Sequence, residues 1–334
     1  MENLTQVRGP FFDELQRGQI FNHAPDVTLT SGLAVAHQAI VGDRLRLPLS
    51  DTLAVAVCGR AGLAHPALVW DLAIGQSTVV TQQVIANLFY RGLSFHSTPH
   101  IGDTLRTTTE VVALRQNQPK PGRPATGLAA LRVTTTDQHS NPVLDFWRCA
   151  MLPLSADEID TGSADNLDQV GNSAQDLSAG AFSHWDLGAM REHVGGEHFG
   201  PQLLGRSFVV TGGDVVSNAP ELARLTLNIA RVHHDETSSS AGRLVYGGHT
   251  IGIALAQVTR AIPNIAAVVA WHHCDHTGPV HEGDTLQSRI TVERMEPLPA
   301  GGGLLHLRSL VSAINSAAAT PRAVLDWRFV ALMA

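Results

Sequence analysis

Asn228 and His233 stand five positions apart, and Gly247-Gly248 follows at the head of an apolar-periodic stretch. These residue types can handle protons and stabilise an oxyanion. An unperturbed histidine titrates near pH ~6.5, which suits an acid or base at neutral pH. An amide such as Asn228 is no base, yet it can hold a water by donating or accepting hydrogen bonds. The first amides of a helix are free, point outward and carry partial positive charge, so an oxygen gaining negative charge would be stabilised at Gly248. Five residues on an ideal helix turn through about 140°, so Asn228 and His233 converge on one water only if the helix ends between them. The plainer alternatives are that Asn228 caps or ends a helix, that His233 is a surface loop residue, and that Gly247-Gly248 lets helix and sheet approach closely.

Arg231 and Arg243 flank these residues. A planar guanidinium pairs well with carboxylate or phosphate, and an ordinary solvated arginine is the competing account. Tyr246 and Gly247 adjoin the proposed amide donor and are candidates for substrate contact. In Trp271-His-His-Cys-Asp-His276 a strand would put His272, Cys274 and His276 on one face. The spacing is unusual for zinc and further ligands are missing. A half-buried strand with polar side chains near a cleft is the simpler reading, and no metal is expected.

Two elements must carry these residues. Asn218-Ala-Pro-Glu221 reads as a helix start, with Asn as N-cap, Pro early and Glu in the first turn; Leu222, Leu225 and Ile229 then recur at helical spacing. A second helix follows Tyr246-Gly-Gly-His249, with Ile251, Leu255, Val258 and Ile262 on one face and Pro263 as its stop. Its counterpart begins near His65-Pro66 and runs through Leu68 and Leu72. Strands rich in Val, Thr and Leu come next: Thr104 to Leu114 and Leu128 to Thr136 around a Pro- and Gly-rich hairpin turn, then Thr285 to Glu293 and Leu304 to Ile314 around Pro297 to Gly303. Helix first and antiparallel strands after reads as α+β.

The elements recur because the chain repeats itself. Gly102-Asp-Thr-Leu105 returns as Gly283-Asp-Thr-Leu286, and Val143-Leu-Asp145 as Val324-Leu-Asp326, both 181 positions later. Two joined copies of one supersecondary unit explain this order. The expected division is a first domain at 1–154, an acidic linker at 155–182 and a second domain at 183–334. The linker is rich in Ser, Gly, Asn and Asp, with Asp157, Glu158, Asp160, Asp165, Asp168 and Asp176 and no basic residue.

Bulk composition narrows the function. With 44% hydrophobic and 16% charged residues, the 334-residue chain can fill two cores. A net charge of −7 offers no basic face for nucleic acid. Three dispersed cysteines suggest no disulfide framework and fit a reducing cytoplasm. Neither a signal peptide nor an apolar run of the ~18 residues needed to span a membrane is read. No dinucleotide or P-loop fingerprint occurs.

The order of motifs, with Gly-Asp-Thr-Leu after Pro99 and Pro279, Asn228-Ile-Ala-Arg-Val-His233, and Gly242-Arg-Leu-Val-Tyr-Gly-Gly-His249, resembles the MaoC-like hydratase family over nearly the whole chain outside the linker. The second half is most similar to its mesaconyl-CoA hydratase (β-methylmalyl-CoA dehydratase) branch. The resemblance implies a double hotdog, two antiparallel sheets each wrapped around a long helix. It implies an enzyme that adds water across an enoyl thioester of a short, branched or dicarboxylic acyl-CoA, or removes it. His233 would move the proton, Asn228 would take the place of the family Asp and position water, and the Gly248 amide would polarise the thioester. No cofactor is implied beyond the CoA of the substrate, and a monomer or homodimer fits. In the first copy Gly42-Asp43 survives, but Pro48 stands where His is expected and Ala64-His-Pro66 replaces the glycines. That copy is expected to be inert, with Asp43 a turn residue, and to hold the acyl-CoA tail. A hotdog thioesterase and a non-catalytic acyl-CoA binder are the competing functions.

Overall fold

The computed structural model describes residues 4–5, 7–172, 179–238, 242–315 and 318–334. In the first copy β1 (Ile20–Phe21), β2 (Val27–Thr28), α1 (Ser31–Val41), α2 (Arg46–Leu49), α3 (Asp51–Cys58) and α4 (Pro66–Gln76) precede β3 (Ala86–Phe95), β4 (Thr104–Gln116), β5 (Thr126–Thr136) and β6 (Pro142–Pro153). The second copy has α5 (Leu187–His193), β7 (Ser207–Val209), β8 (Asp214–Val215), α6 (Ala219–Leu225) and α7 (Gly247–Ala261). Then come β9 (Ile265–His276), β10 (Thr285–Pro297), β11 (Gly303–Asn315) and β12 (Ala318–Met333).

The strands form one antiparallel sheet in the order β1-β4-β5-β6-β3-β9-β12-β11-β10-β7, with β2 added to β4 and β8 to β10. The path is symmetric about β3–β9, where Tyr90 lies opposite Cys274 and Leu93 opposite Trp271. Two hotdog units therefore share a continuous sheet. Their long helices α4 and α7 pack against each other. Every residue of α4 is buried, as a helix apolar on all sides requires, with Asp71 and Gln76 the two polar side chains taken in with it. Trp70 of α4 meets Trp271 of β9 at 4.9 Å between ring centroids, and Trp327 of β12 lies 5.5 Å from Trp271. One large apolar cluster runs through both copies.

The repeated Gly-Asp-Thr-Leu is a turn. Gly102 and Gly283 have φ of 104° and 87°, a region that favours glycine. Asp103 and Asp284 accept the amides of His100 and His281. The expected hairpin joins β4 to β5, closed by Asn117 N–H donating to the Thr126 carbonyl.

Two local expectations need correction. Asn218 holds the N-cap position of α6, but it lies at φ 58° and its side chain caps nothing. Glu282 Oε1 accepts the Ala219 amide instead, at 3.0 Å. The helix also stops at Leu225, because Leu227 turns into the left-handed region at φ 57°. Ile229 is thus outside the helix and 44% exposed.

The acidic joining segment is pinned to the first copy over its described part. Ser155 bonds Asp13, the Leu114 amide donates to Asp165, and Arg91 donates to the carbonyls of Leu167, Asp168 and Val170. Leu167 is buried beneath it. Asp176 and the rest of 173–178 lie outside the described residues.

Candidate active site

The segment from Thr226 to His233 crosses from the second copy onto the end of α4. Gly75 makes the crossing possible, since a Cβ there would strike the Thr226 carbonyl. The Ile229 amide donates to Thr78 Oγ1 at 2.9 Å and the Arg231 amide to the Gln82 carbonyl at 2.9 Å. Asn228 is buried, and its Oδ1 accepts the Ala230 amide at 3.0 Å in a tight side-chain turn. A short 3-10 turn over Arg231–His233 then presents the imidazole. The helix ends before Asn228 rather than between Asn228 and His233, and the extended residues and the 3-10 turn remove the 140° separation.

His233 is half-buried and its orientation is fixed. Nδ1 lies 2.9 Å from the Leu244 carbonyl. A carbonyl only accepts, so Nδ1 carries the proton and Nε2 keeps its lone pair. The strand-like contact that places Leu244 beside the motif is Leu244 N–H to the Val232 carbonyl, at 3.0 Å. Burial pushes the His233 pKa down to about 4, against the Leu244 hydrogen bond, and the charges of His234, Arg148 and His276 push the same way. The ring is therefore neutral at physiological pH.

The start of α7 faces this imidazole. The Tyr246 ring lies 5.7 Å from that of His233, at 61° to it. Tyr246 is buried, and its hydroxyl donates to the Asp71 carbonyl at 3.1 Å, a bond from the second copy to α4. Gly248 is buried with no room for a side chain, for a Cβ would strike Asp71 Oδ1 and the Tyr246 ring. At Gly247 a Cβ would come within 2.6 Å of His276 Nε2. His233, Tyr246, Gly247 and Gly248 are thus brought together, with Asn228 in the turn that leads to His233.

The two flanking arginines are placed differently. Arg231 is exposed and bonds Asp235 at 2.7 Å. Arg243 bonds Glu282 at 2.7 Å and lies 3.4 Å from Glu236. Each guanidinium is thus held by carboxylates of its own surface.

In 271–276, a register shift in the β9–β12 ladder lies beside His272. His272 then meets His306 at 3.0 Å, His273 accepts from Arg328, Cys274 is buried, and His276 turns to Gly247. Among the described residues no group of three or more His, Cys, Asp and Glu side chains is arranged to hold a metal ion.

Three further residues border the cluster: His276, read from sequence only as a polar strand residue near a cleft, and Asp71 and Arg148, which were not foreseen. Asp71 is fully buried; burial raises its pKa, while His37 at 3.0 Å and Tyr246 pull against that. His276 Nε2 is buried without a hydrogen-bond partner among the described residues, and burial lowers its pKa to about 4. Arg148 is buried on β6. Aligning the repeats gives the available signal for it: Arg148 falls where the second copy has the core residue Phe329.

The first copy carries the same frame. Gly42, at φ 65°, stands for Leu227, and Asp43 Oδ1 accepts the Leu45 amide at 2.6 Å as Asn228 accepts that of Ala230. The Arg44 amide reaches Thr259 Oγ1 at 3.3 Å, mirroring Ile229 and Thr78. A cleft of ≈ 660 Å³ opens here, lined by Asp43, Arg44, Arg46, Ser50, His193 and Thr259 among others. Asp43 is more than a turn residue: it is buried and also accepts from His65 Nε2 at 2.8 Å and Thr259 at 3.1 Å. His65, in the place of Tyr246, accepts the Ala67 amide through Nδ1. The proton of that neutral ring is therefore on Nε2, and both nitrogens are engaged. With Pro66 lacking an N–H and the Ala67 amide taken, the donor that the second copy offers is closed.

Comparison with known proteins places this geometry. No protein-family model matches the chain. It is 28% identical over 320 residues to a β-methylmalyl-CoA dehydratase of Chloroflexus aurantiacus, covering 91% of this chain and 88% of that one. It is 27% identical over 310 residues to a mesaconyl-CoA hydratase of Cereibacter sphaeroides, covering 90% and 88%. Among solved structures it is similar to RV0216 of Mycobacterium tuberculosis, described as a double hotdog, with 56% identity, 99% and 100% coverage and a TM-score of 0.94. The fold is that of a double hotdog. The chain belongs with RV0216 among the double-hotdog proteins, and its sequence is similar over about nine tenths of its length to these two enzymes, a CoA-thioester dehydratase and a hydratase.

Proposed function

We propose that the protein reversibly adds water across the double bond of a short, branched or dicarboxylic enoyl-CoA. The observation that carries this is the tautomer of His233: Nδ1–H is held by the Leu244 carbonyl, which leaves a neutral Nε2 as base. Asn228 positions the water. Nε2 takes one proton as the oxygen bonds the β-carbon of the enoyl group. The π electrons move toward the thioester oxygen, where the free amide of Gly248 at the start of α7 stabilises the enolate. Collapse of the enolate draws the same proton from the imidazolium to the α-carbon. A histidine with a pKa near 4 gives its proton up readily, so one ring serves both steps. No cofactor enters this scheme. The contacts of Thr226–Arg231 with α4 and the segment after it bring both copies to one site, so a single chain suffices, as monomer or as half of a homodimer. No helix among the described residues is long and apolar enough to cross a membrane. Three free cysteines fit a reducing, cytoplasmic setting.

The test is a panel of enoyl-CoA thioesters assayed on wild type and His233→Ala. Loss of enoyl absorbance with the thioester intact is expected for wild type, with kcat lowered roughly 10³-fold in the variant. Release of free CoA thiol instead would identify a thioesterase, and binding without turnover a non-catalytic acyl-CoA protein.

A further inference from the structure

Arg148 is a cation without an anion. It is 3% exposed. Its Nη2 donates to the Thr81 hydroxyl, and its Nε is buried with no hydrogen-bond partner. Among the described residues no carboxylate lies within ion-pair distance of it. Asp71, the buried carboxyl beside Tyr246, is bound by His37 at 3.0 Å and accepts a longer contact from the Tyr246 hydroxyl at 3.4 Å. Burial lowers the pKa of Arg148, yet a guanidinium keeps its proton in proteins. An isolated buried charge is strongly unfavourable unless something pairs with it. The same strand position in the second copy holds Phe329, so the fold itself asks for an apolar residue here.

The position of the charge tells what it waits for. Arg148 lies opposite Tyr90 across β3 and β6, and Tyr90 lies 5.8 Å from His276, the ring against Gly247. Its Thr81 partner belongs to the segment that receives the Arg231 amide and so supports Asn228–His233. The electrostatics agree, because the charge of Arg148 acts on His233, Tyr90 and Tyr246.

We infer that Arg148 binds a carboxylate on the acyl group of the substrate and selects dicarboxylic mono-CoA thioesters over uncharged ones. The inference rests on the acyl-CoA reading of the site and names its specificity residue. An anionic oxygen pair is also present in the phosphates of CoA. The acyl end is the better match, since Arg148 sits in the sheet beside the reacting groups whereas the nucleotide end of CoA is large and strongly hydrated. Arg231 and Arg243, with their own carboxylates at the surface, leave that role open.

The experiment compares 2-methylfumaryl-CoA with 2-methylcrotonyl-CoA, which differ by a carboxylate in place of a methyl. Wild type, Arg148→Met and Arg148→Lys are each assayed, and the same acyl groups are also presented on N-acetylcysteamine, which has no phosphate. The Met variant is expected to lose about 100-fold in kcat/KM on the dicarboxylic substrate, on both carriers, and less than about fivefold on the uncharged one. Lys is expected to recover part of the loss. The Tm of ligand-free Arg148→Met should equal or exceed that of wild type, because a desolvated charge is removed. Equal losses on both acyl groups, a lowered Tm with general loss, or losses confined to CoA carriers would each overturn the assignment. If wild type hydrates neither substrate, calorimetry with glutaryl-CoA and pentanoyl-CoA decides separately. Preference for glutaryl-CoA abolished by Arg148→Met upholds the carboxylate site although the hydratase reading has failed; no preference overturns it.

Discussion

The path from Leu227 to His233 and the path from Gly42 to Pro48 share a left-handed turn, a side-chain turn two residues on, and a threonine from the opposite copy. Their chemistry differs at three places. The second copy has an imidazole with a free Nε2, an aromatic N-cap and glycines at the helix start. The first has Pro48, an imidazole N-cap that consumes the first available amide, and Ala67 where the other has Gly248. The polar groups of the first copy are satisfied by one another, while those of the second are left for a ligand. The two copies thus share a backbone frame, and a few side chains separate the proposed site from a closed one.

The sharpest way to break this contrast is at the helix starts. Gly248→Ala should lower kcat roughly 10²- to 10³-fold, the range for a lost oxyanion donor, because the added Cβ must displace Asp71 or Tyr246. Ala67→Gly, at the matching place in the first copy, should leave kcat unchanged. Steady-state kinetics on an enoyl-CoA checks both, and equal effects of the two changes would show that the helix starts are not functionally distinct.

A second effect should fall on stability instead of rate. Asp43→Ala strands the His65 N–H and the Leu45 amide, and leaving a buried donor without its partner costs about 1–3 kcal/mol. Denaturant unfolding should show that loss, with kcat of the folded fraction kept. A variant that keeps its stability would make Asp43 the mere turn residue that spacing alone suggests.

Much of this frame was legible in the chain, and the gaps have physical causes. The repeat, the strands and both long helices follow from periodicity, and Asn228, His233 and Gly248 from motif order. The helix over Ile229 was misread because apolar spacing continues past Leu225, while the left-handed Leu227 that ends it carries no sequence mark. His276 hid because its orientation follows from β9 passing the start of α7, and the register shift beside His272 breaks simple alternation. Asp71 and Arg148 hid because each is a charge inside an apolar run, visible only when the copies are aligned or the inter-copy contact is seen.

Acid should expose the contrast thermodynamically. His233, His249 and His276 have pKa values lowered by burial from 6.5 to about 4, so the unfolded chain binds more protons than the native one between those values. Stability from these rings is complete above about pH 6.5 and falls as pH drops toward 4, on the order of 1–3 kcal/mol for each ring. Chemical denaturation at several pH values measures the slope, and replacing His276 by Phe should flatten it. A slope unchanged by that replacement would mean that His276 is not held neutral by burial.

The smallest effect is expected from Asn228→Asp. Asp43 shows that a carboxylate fits this turn and keeps the side-chain bond to the amide two residues on. Folding should therefore be little changed, and kcat should stay within about tenfold of wild type, since in the proposed mechanism the proton is handled by His233. The pH profile is the informative readout. A nearby negative charge favours the imidazolium, so the His233 pKa should rise from about 4 and the acid limb of kcat/KM should move to higher pH. An acid limb that stays in place would mean that the position-228 side chain does not act on His233, and the water would then have to be held by other groups around the start of α7.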